Sequence, residues 1–192
     1  MKPSVLLVDN HDSFTYNLAG ILEESGLCKL KVCFNDQLRM GMMKSCDKIL
    51  FSPGPGIPKE YPQMREIIER FGASKSILGI CLGHQAIVES LGGSLFRLNK
   101  VMHGSRQQIQ LSEPLDPLFL GLPKRFHVGL YHSWAANPSN LPSSLHVTVT
   151  GRDGIIMGIS HDSMDLKGLQ FHPESYMTEY GHKMISNWLK SK

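Results

Sequence analysis

Along the chain, the spacing of hydrophobic positions changes about midway. The first half alternates short, unbroken apolar runs with stretches of helical period. Residues Ser4–Asp9 form such a run, the pattern of a central parallel strand covered on both faces. Ser13 stands where a helix N-cap is expected. Phe14, Leu18, Ile21 and Leu22 share one face of the helix it would start, and Gly26 suits its end. Residues 30–34 and 48–52 read as the next strands, with a weaker helical pattern between them. Met64, Ile67, Ile68 and Phe71 then recur at i, i+3, i+4 and i+7. Ser76–Ile80 is a further buried strand, and the helix after it carries Ile87, Val88 and Leu91 before Gly92-Gly93 closes it.

In the second half β runs dominate, at residues 94–98, 107–111, 126–132, 146–150, 155–160 and 168–172. A last amphipathic helix is expected from about Thr178, with Met184, Ile185, Trp188 and Leu189 on its apolar side. No repeat, low-complexity tract or linker interrupts the pattern. Strand–helix alternation followed by a run of strands predicts an α/β fold: a mostly parallel central sheet with helices on both faces and a mixed or antiparallel β extension. One domain spanning residues 1–192 is expected.

Composition narrows the function classes. The shares of 41% hydrophobic and 19% charged residues are ordinary for a globular protein, which sets disorder aside. The net charge of +3 is scattered, with no basic cluster denser than a pair such as Lys124-Arg125. Neither a nucleic-acid groove nor a polybasic membrane patch is therefore expected. The apolar run near Met1 is too short for a signal sequence, and no stretch reaches transmembrane length. Cys28, Cys33, Cys46 and Cys81 form neither a CxxC pair nor a metal-ligand spacing, so no metal site and no disulfide framework are expected. The expectation is a cytoplasmic protein with reduced thiols.

Candidate chemistry centres on Gly79-Ile80-Cys81-Leu82-Gly83-His84-Gln85. It follows a predicted buried strand, opens a predicted helix and has the form G-x-nucleophile-x-G. The glycines permit a sharp turn and leave room around the sulfur. That turn sets the sulfur at a helix N-terminus, where free N–H groups and the helix dipole favour a thiolate. The Leu82 N–H then points where an oxyanion would form. Cys28, Cys33 and Cys46 lack such a flanking pair of glycines and read as small buried hydrophobes.

A thiol nucleophile needs a base and a group to orient that base. Phe171-His172-Pro173-Glu174 ends a predicted strand, at the edge of a parallel sheet where sites assemble. His172 is the preferred base, with Glu174 brought back beside it. Ser52-Pro53-Gly54-Pro55-Gly56 follows another strand, and its glycines allow close backbone approach to a developing negative charge.

These three elements, in this order, resemble the class I (triad) glutamine amidotransferases over essentially the whole chain. Asp9-Asn10-His11-Asp12-Ser13-Phe14-Thr15-Tyr16-Asn17-Leu18 is similar to the N-terminal signature of the glutaminase subunits of anthranilate synthase and aminodeoxychorismate synthase. Met102-His103-Gly104, His172-Pro173-Glu174-Ser175 and Thr178-Glu179-Tyr180-Gly181 resemble the same branch. The resemblance implies a flavodoxin-like amidotransferase domain that releases ammonia from L-glutamine for a chorismate-using synthase partner, component I of either complex, without a cofactor. It implies Cys81 as nucleophile, His172 as acid and base, and Glu174 as orienter. It places glutamine against Gly54, Pro55, Gly56, Gln85 and the Ser133-Trp134 backbone, with the Gly56 and Leu82 N–H groups as oxyanion hole. No catalytic role falls to the Asp9–Leu18 signature, and His84 is read as a brace for the elbow.

Three positions depart from the family pattern: His11 replaces a usual tyrosine, Ser105 a frequent lysine, and Trp134 a smaller aliphatic residue. Two other classes stay open at this stage, a stand-alone thiol hydrolase of γ-glutamyl compounds and a catalytically silent binding module.

Overall fold

The computed structural model describes residues 1–191. Nine strands form one sheet in the order β2-β1-β3-β4-β9-β8-β7-β5-β6. The parallel part holds β1 (Ser4–Asp9), β2 (Lys29–Phe34), β3 (Lys48–Phe51), β4 (Ser76–Ile80) and β9 (Leu166–Leu169). The antiparallel extension holds β5 (Leu95–Leu111), β6 (Arg125–Ala136), β7 (Leu145–Thr150) and β8 (Ile156–His161). Parallel pairing sets the C-terminal ends of β1, β3, β4 and β9 along one edge, and that edge carries the chemistry.

The apolar run of β1 is buried on both faces because each face meets helices. Val5 and Leu7 join a core with Leu18 and Leu22 of α1 (Thr15–Ser25) and with Ile185 and Trp188 of α5 (Gly181–Lys190). Leu6 and Val8 join the opposite core, with Met43 of α2 (Met40–Lys44), Met64 and Ile67 of α3 (Pro62–Phe71) and Ile87 of α4 (Leu82–Ser90). Alternation along one strand thus feeds two cores. No described helix is long and apolar enough to cross a membrane.

Four local expectations are corrected. Ser13 does not cap α1; Asp12 Oδ1 accepts from the Phe14 N–H (2.8 Å), and Asp9 Oδ1 accepts from the Thr15 hydroxyl (2.8 Å). A carboxylate can reach these groups from the preceding turn, which leaves Ser13 exposed. Residues 94–98 and 107–111 belong to one strand, β5, because pairing with β6 continues across two irregularities near Met102 and His103. The last predicted strand stops at Leu169, so His172 lies beyond it, on an isolated bridge to Gly129. The final helix begins at Gly181, because Thr178 is used elsewhere: its hydroxyl donates to the His172 carbonyl (2.6 Å).

Candidate active site

Cys81 sits between β4 and α4 with φ 51° and ψ −98°. A non-glycine residue in that region is strained, and such strain persists only where surroundings over-determine it. They do so here. The Cys81 N–H donates to the Leu169 carbonyl (2.7 Å), and its own carbonyl accepts from Gln85 N (3.0 Å). Gly79 and Gly83 let α4 lie backbone to backbone on β4 and β3: a Cβ on Gly79 would come within 2.7 Å of the His84 backbone nitrogen, and one on Gly83 within 2.9 Å of the Phe51 carbonyl oxygen. Leu82 is the first residue of α4, so its N–H has no acceptor within the helix.

The sulfur opens on a cavity of about 140 Å³. Gly54, Pro55 and Gly56 line one side, and Leu82, Gln85, Ser133 and Trp134 line the rest, with Tyr131 and His132. All seven residues read from the sequence as glutamine contacts therefore meet at Cys81. The loop is held from behind by Asn10, which is fully buried: its N–H donates to Ser52 Oγ (2.9 Å) and its Nδ2 to the Ser52 carbonyl (2.8 Å). Gly54 passes so close that a Cβ would lie 2.8 Å from Asn10 Cβ. Gly56 takes φ +73°, which only glycine adopts without strain.

His172 and Glu174 are buried and joined by a 2.7 Å bond from Nδ1 to Oε1. An ionised carboxylate only accepts, so Nδ1 carries the proton and Nε2 is left toward the thiol. Nε2 makes no hydrogen bond among the described residues. Burial pushes the imidazole pKa down, but the Glu174 carboxylate and the neighbouring Cys81 sulfur outweigh it and raise the value to about 10. The His172–Glu174 turn is compact because Gly129 faces it: the His172 N–H donates to the Gly129 carbonyl (3.1 Å), and a Cβ on Gly129 would strike Ser175 Oγ at 2.8 Å. Two rings wall the imidazole, Phe14 (centroids 5.4 Å apart) and Tyr131 (4.8 Å).

Sequence reasoning missed Asn10, Phe14, Tyr131 and Gln170 here. A buried amide at a strand end was the available signal for Asn10 and Gln170; none existed for the aromatic pair. The three departures lie outside the His172–Glu174 contact. His11 stacks on Phe34 (5.0 Å) at an exposed site, and Ser105 pairs with Leu130 in the β5–β6 ladder. Trp134 offers its backbone carbonyl to Gln85 Nε2 (3.0 Å), a contact indifferent to the side chain.

Two further buried histidines give a pH prediction. Burial holds His84 down at about 3 and His132 at about 4, and the proximity of the histidines to one another adds to it. Both therefore stay neutral in the fold while the unfolded chain takes up protons below about pH 6.5. Their contribution to stability is complete above that pH and is lost as pH falls toward 4 and then 3. Each can cost up to about 1.4 kcal/mol per pH unit in that window. Urea unfolding is expected to show a loss of about 3–5 kcal/mol between pH 6.5 and 4.5, with a shallower slope in His84→Leu. A flat profile would show that these imidazoles accept protons without unfolding.

A cysteine on a strand–helix elbow, at the C-terminal edge of a parallel sheet and beside a buried His–Glu pair, places the molecule among α/β proteins built for thiol chemistry. The family model for Glutamine amidotransferase class-I matches residues 6–191. The chain is 42% identical over 187 residues to "Aminodeoxychorismate synthase component 2" of Klebsiella aerogenes, covering 96% of this chain and 98% of that one. It is 41% identical over 189 residues to "Anthranilate synthase component 2" of Pyropia yezoensis, covering 97% and 98%. A solved structure of a candidate GMP synthase component from Thermoplasma acidophilum shares the fold with a TM-score of 0.88 at 23% identity, covering 98% of this chain and 93% of that one. The chain belongs to the class-I glutamine amidotransferases, and it is an enzyme of that family.

Proposed function

We propose that this chain is the glutaminase subunit of anthranilate synthase, hydrolysing L-glutamine and supplying ammonia to a chorismate-using synthase subunit. The observation that carries the glutamine-hydrolysing part of this reading is the 140 Å³ cavity, where Cys81 meets the Gly54–Gly56 loop, Gln85 and the Ser133-Trp134 segment; the anthranilate branch is supported by similarity to the relative of that name. In this mechanism the Cys81 thiolate attacks the side-chain amide carbon. The Gly56 and Leu82 N–H groups hold the oxyanion; one such donor is worth ~2.7–4 kcal/mol. Protonated His172 gives its Nε2 proton to the departing ammonia, leaving a γ-glutamyl thioester. The neutral imidazole then takes a proton from water, which attacks the thioester and releases glutamate. Glu174 keeps Nδ1 protonated throughout. The second reading, service to aminodeoxychorismate synthase, is supported by the equally similar relative of that name.

Partner dependence follows from how the site is held. Cys81 is buried on a rigid turn, whereas Pro55 and Gly56 of the opposing loop are exposed. A shift of about 1 Å in an oxyanion donor costs on the order of a hundredfold in rate. Contact with a synthase subunit that orders this loop therefore raises kcat more than it changes KM. The test is glutaminase kinetics of the chain alone and with each component I, with chorismate present. A strong rise with the anthranilate partner is expected. A rise only with the aminodeoxychorismate partner would select the second reading, and equal kcat in all conditions would favour a stand-alone hydrolase.

A further inference from the structure

We propose that Gln170 is a further catalytic residue: its side-chain amide donates a hydrogen bond to the Cys81 sulfur and holds the thiolate in its direction of attack. The proposal rests on Cys81 being the nucleophile and adds a residue to that reading. Gln170 lies just past β9 and is fully buried between Leu169 and Phe171, which both belong to the core. An amide in such a run must find partners, since burying it unpaired is costly. It finds two. Its Oε1 accepts from Gln85 Nε2 (3.2 Å), and its Nε2 lies 3.5 Å from Cys81 Sγ.

The direction of these bonds is decided by one backbone atom. The Trp134 carbonyl oxygen meets both Gln85 Nε2 (3.0 Å) and His132 Nδ1 (2.9 Å). A carbonyl can only accept, so His132 carries its proton on Nδ1 and Gln85 must present its amide nitrogen. That nitrogen has only protons to offer, so the Gln170 atom it meets is the oxygen. The remaining end of Gln170 is then the NH₂ group, and it faces the sulfur. Reversing Gln170 would set two NH₂ groups against each other and an oxygen lone pair against the thiolate, at a depth where burial leaves neither clash relieved. The order Trp134 carbonyl, Gln85, Gln170, Cys81 therefore reads in one direction only.

The consequence for the reaction is a hydrogen-bond donor held on the nucleophile independently of His172. His172 approaches the sulfur from one neighbouring segment and Gln170 from the strand end two residues earlier. Cys81 is 6% exposed, so solvent offers the thiolate little else. Hydrogen bonds to charged acceptors are the strong ones, and losing a donor here weakens the reactive anion and frees its rotamer.

Two variants test this. Gln170→Met removes the donor at nearly the same length, and Gln170→Glu keeps an acceptor for Gln85 while turning an oxygen on the sulfur. Iodoacetamide labelling of Cys81, mapped by mass spectrometry, is expected to slow about tenfold in Gln170→Met and further in Gln170→Glu. Labelling of the half-buried Cys33 serves as the control for folding and should not change. Glutaminase kcat is expected to fall about 10- to 100-fold with KM within about twofold. Unchanged Cys81 labelling and kcat would overturn the proposal, as would a rise in KM alone, which would make Gln170 a wall of the pocket. If either variant fails to fold, the unsubstituted protein still decides: the ¹⁵N resonance of the Gln170 side-chain amide should move when Cys81 is alkylated, and a fixed resonance would overturn the assignment. Glutamine hydrolysis that survives Cys81→Ser would instead remove the nucleophile reading itself.

Discussion

Replacing Cys81 by serine is expected to lower glutamine-dependent synthesis by the complex at least about 10⁴-fold while leaving synthesis from added ammonia intact. The size follows from removing the nucleophile of a unit whose members act together; such losses run to ~10⁴–10⁶. A hydroxyl is a far weaker nucleophile than a thiolate, and one buried histidine cannot make up the difference. Sparing of the ammonia reaction follows from the division of labour proposed above, since Cys81 serves only ammonia release. The elbow should tolerate the change because serine occupies less space than cysteine at the same strained φ of 51°. The measurement is product formation from chorismate with glutamine or with an ammonium salt as nitrogen donor. Loss of both activities in a folded, partner-bound variant would mean that this subunit does more than release ammonia.

The second large effect is expected from Gly79→Ala. An added Cβ would overlap the Gly83 carbonyl and come within 2.7 Å of the His84 backbone nitrogen. Both are main-chain atoms of α4, so no side chain can swing aside. The helix must move off the strand or the chain must not fold, at a cost of at least about 3 kcal/mol. A helix shift of about 1 Å would also carry Leu82 N–H and Gln85 away from the sulfur, for a further loss of about a hundredfold in kcat. Gly20→Ala is the matched control. Gly20 lies inside α1 with nothing within 4 Å of its would-be Cβ, so the same change should stabilise by about 0.5–1 kcal/mol. Thermal unfolding and glutaminase assays of the pair check both signs. A Gly79→Ala protein as stable and active as the parent would show that the elbow does not depend on this backbone contact.

What the sequence determined by itself was whatever its periodicity and local turn chemistry encode. The central strands read correctly because β1 and β4 must bury both faces and so carry unbroken apolar runs. The elbow read correctly because two glycines flank Cys81 at the spacing a strand-to-helix reversal requires. The neighbouring His172 and Glu174 lie two residues apart, close enough for a local motif to hint at their 2.7 Å bond. Only the tertiary structure decided the ends of elements and the long-range polar contacts. β5 runs through Gly104 because its partner β6 supplies the ladder, a fact no window of β5 contains. α5 starts at Gly181 because Thr178 and Glu179 bond to Gly129 and His127, some 50 residues earlier in the chain. The path from the Trp134 carbonyl through Gln85 and Gln170 to Cys81 joins three separate strand ends and a helix. Buried polar partners leave no period in a sequence. Each is chosen by whichever donor or acceptor the fold brings within about 3 Å, and that choice exists only once the sheet has aligned its edges.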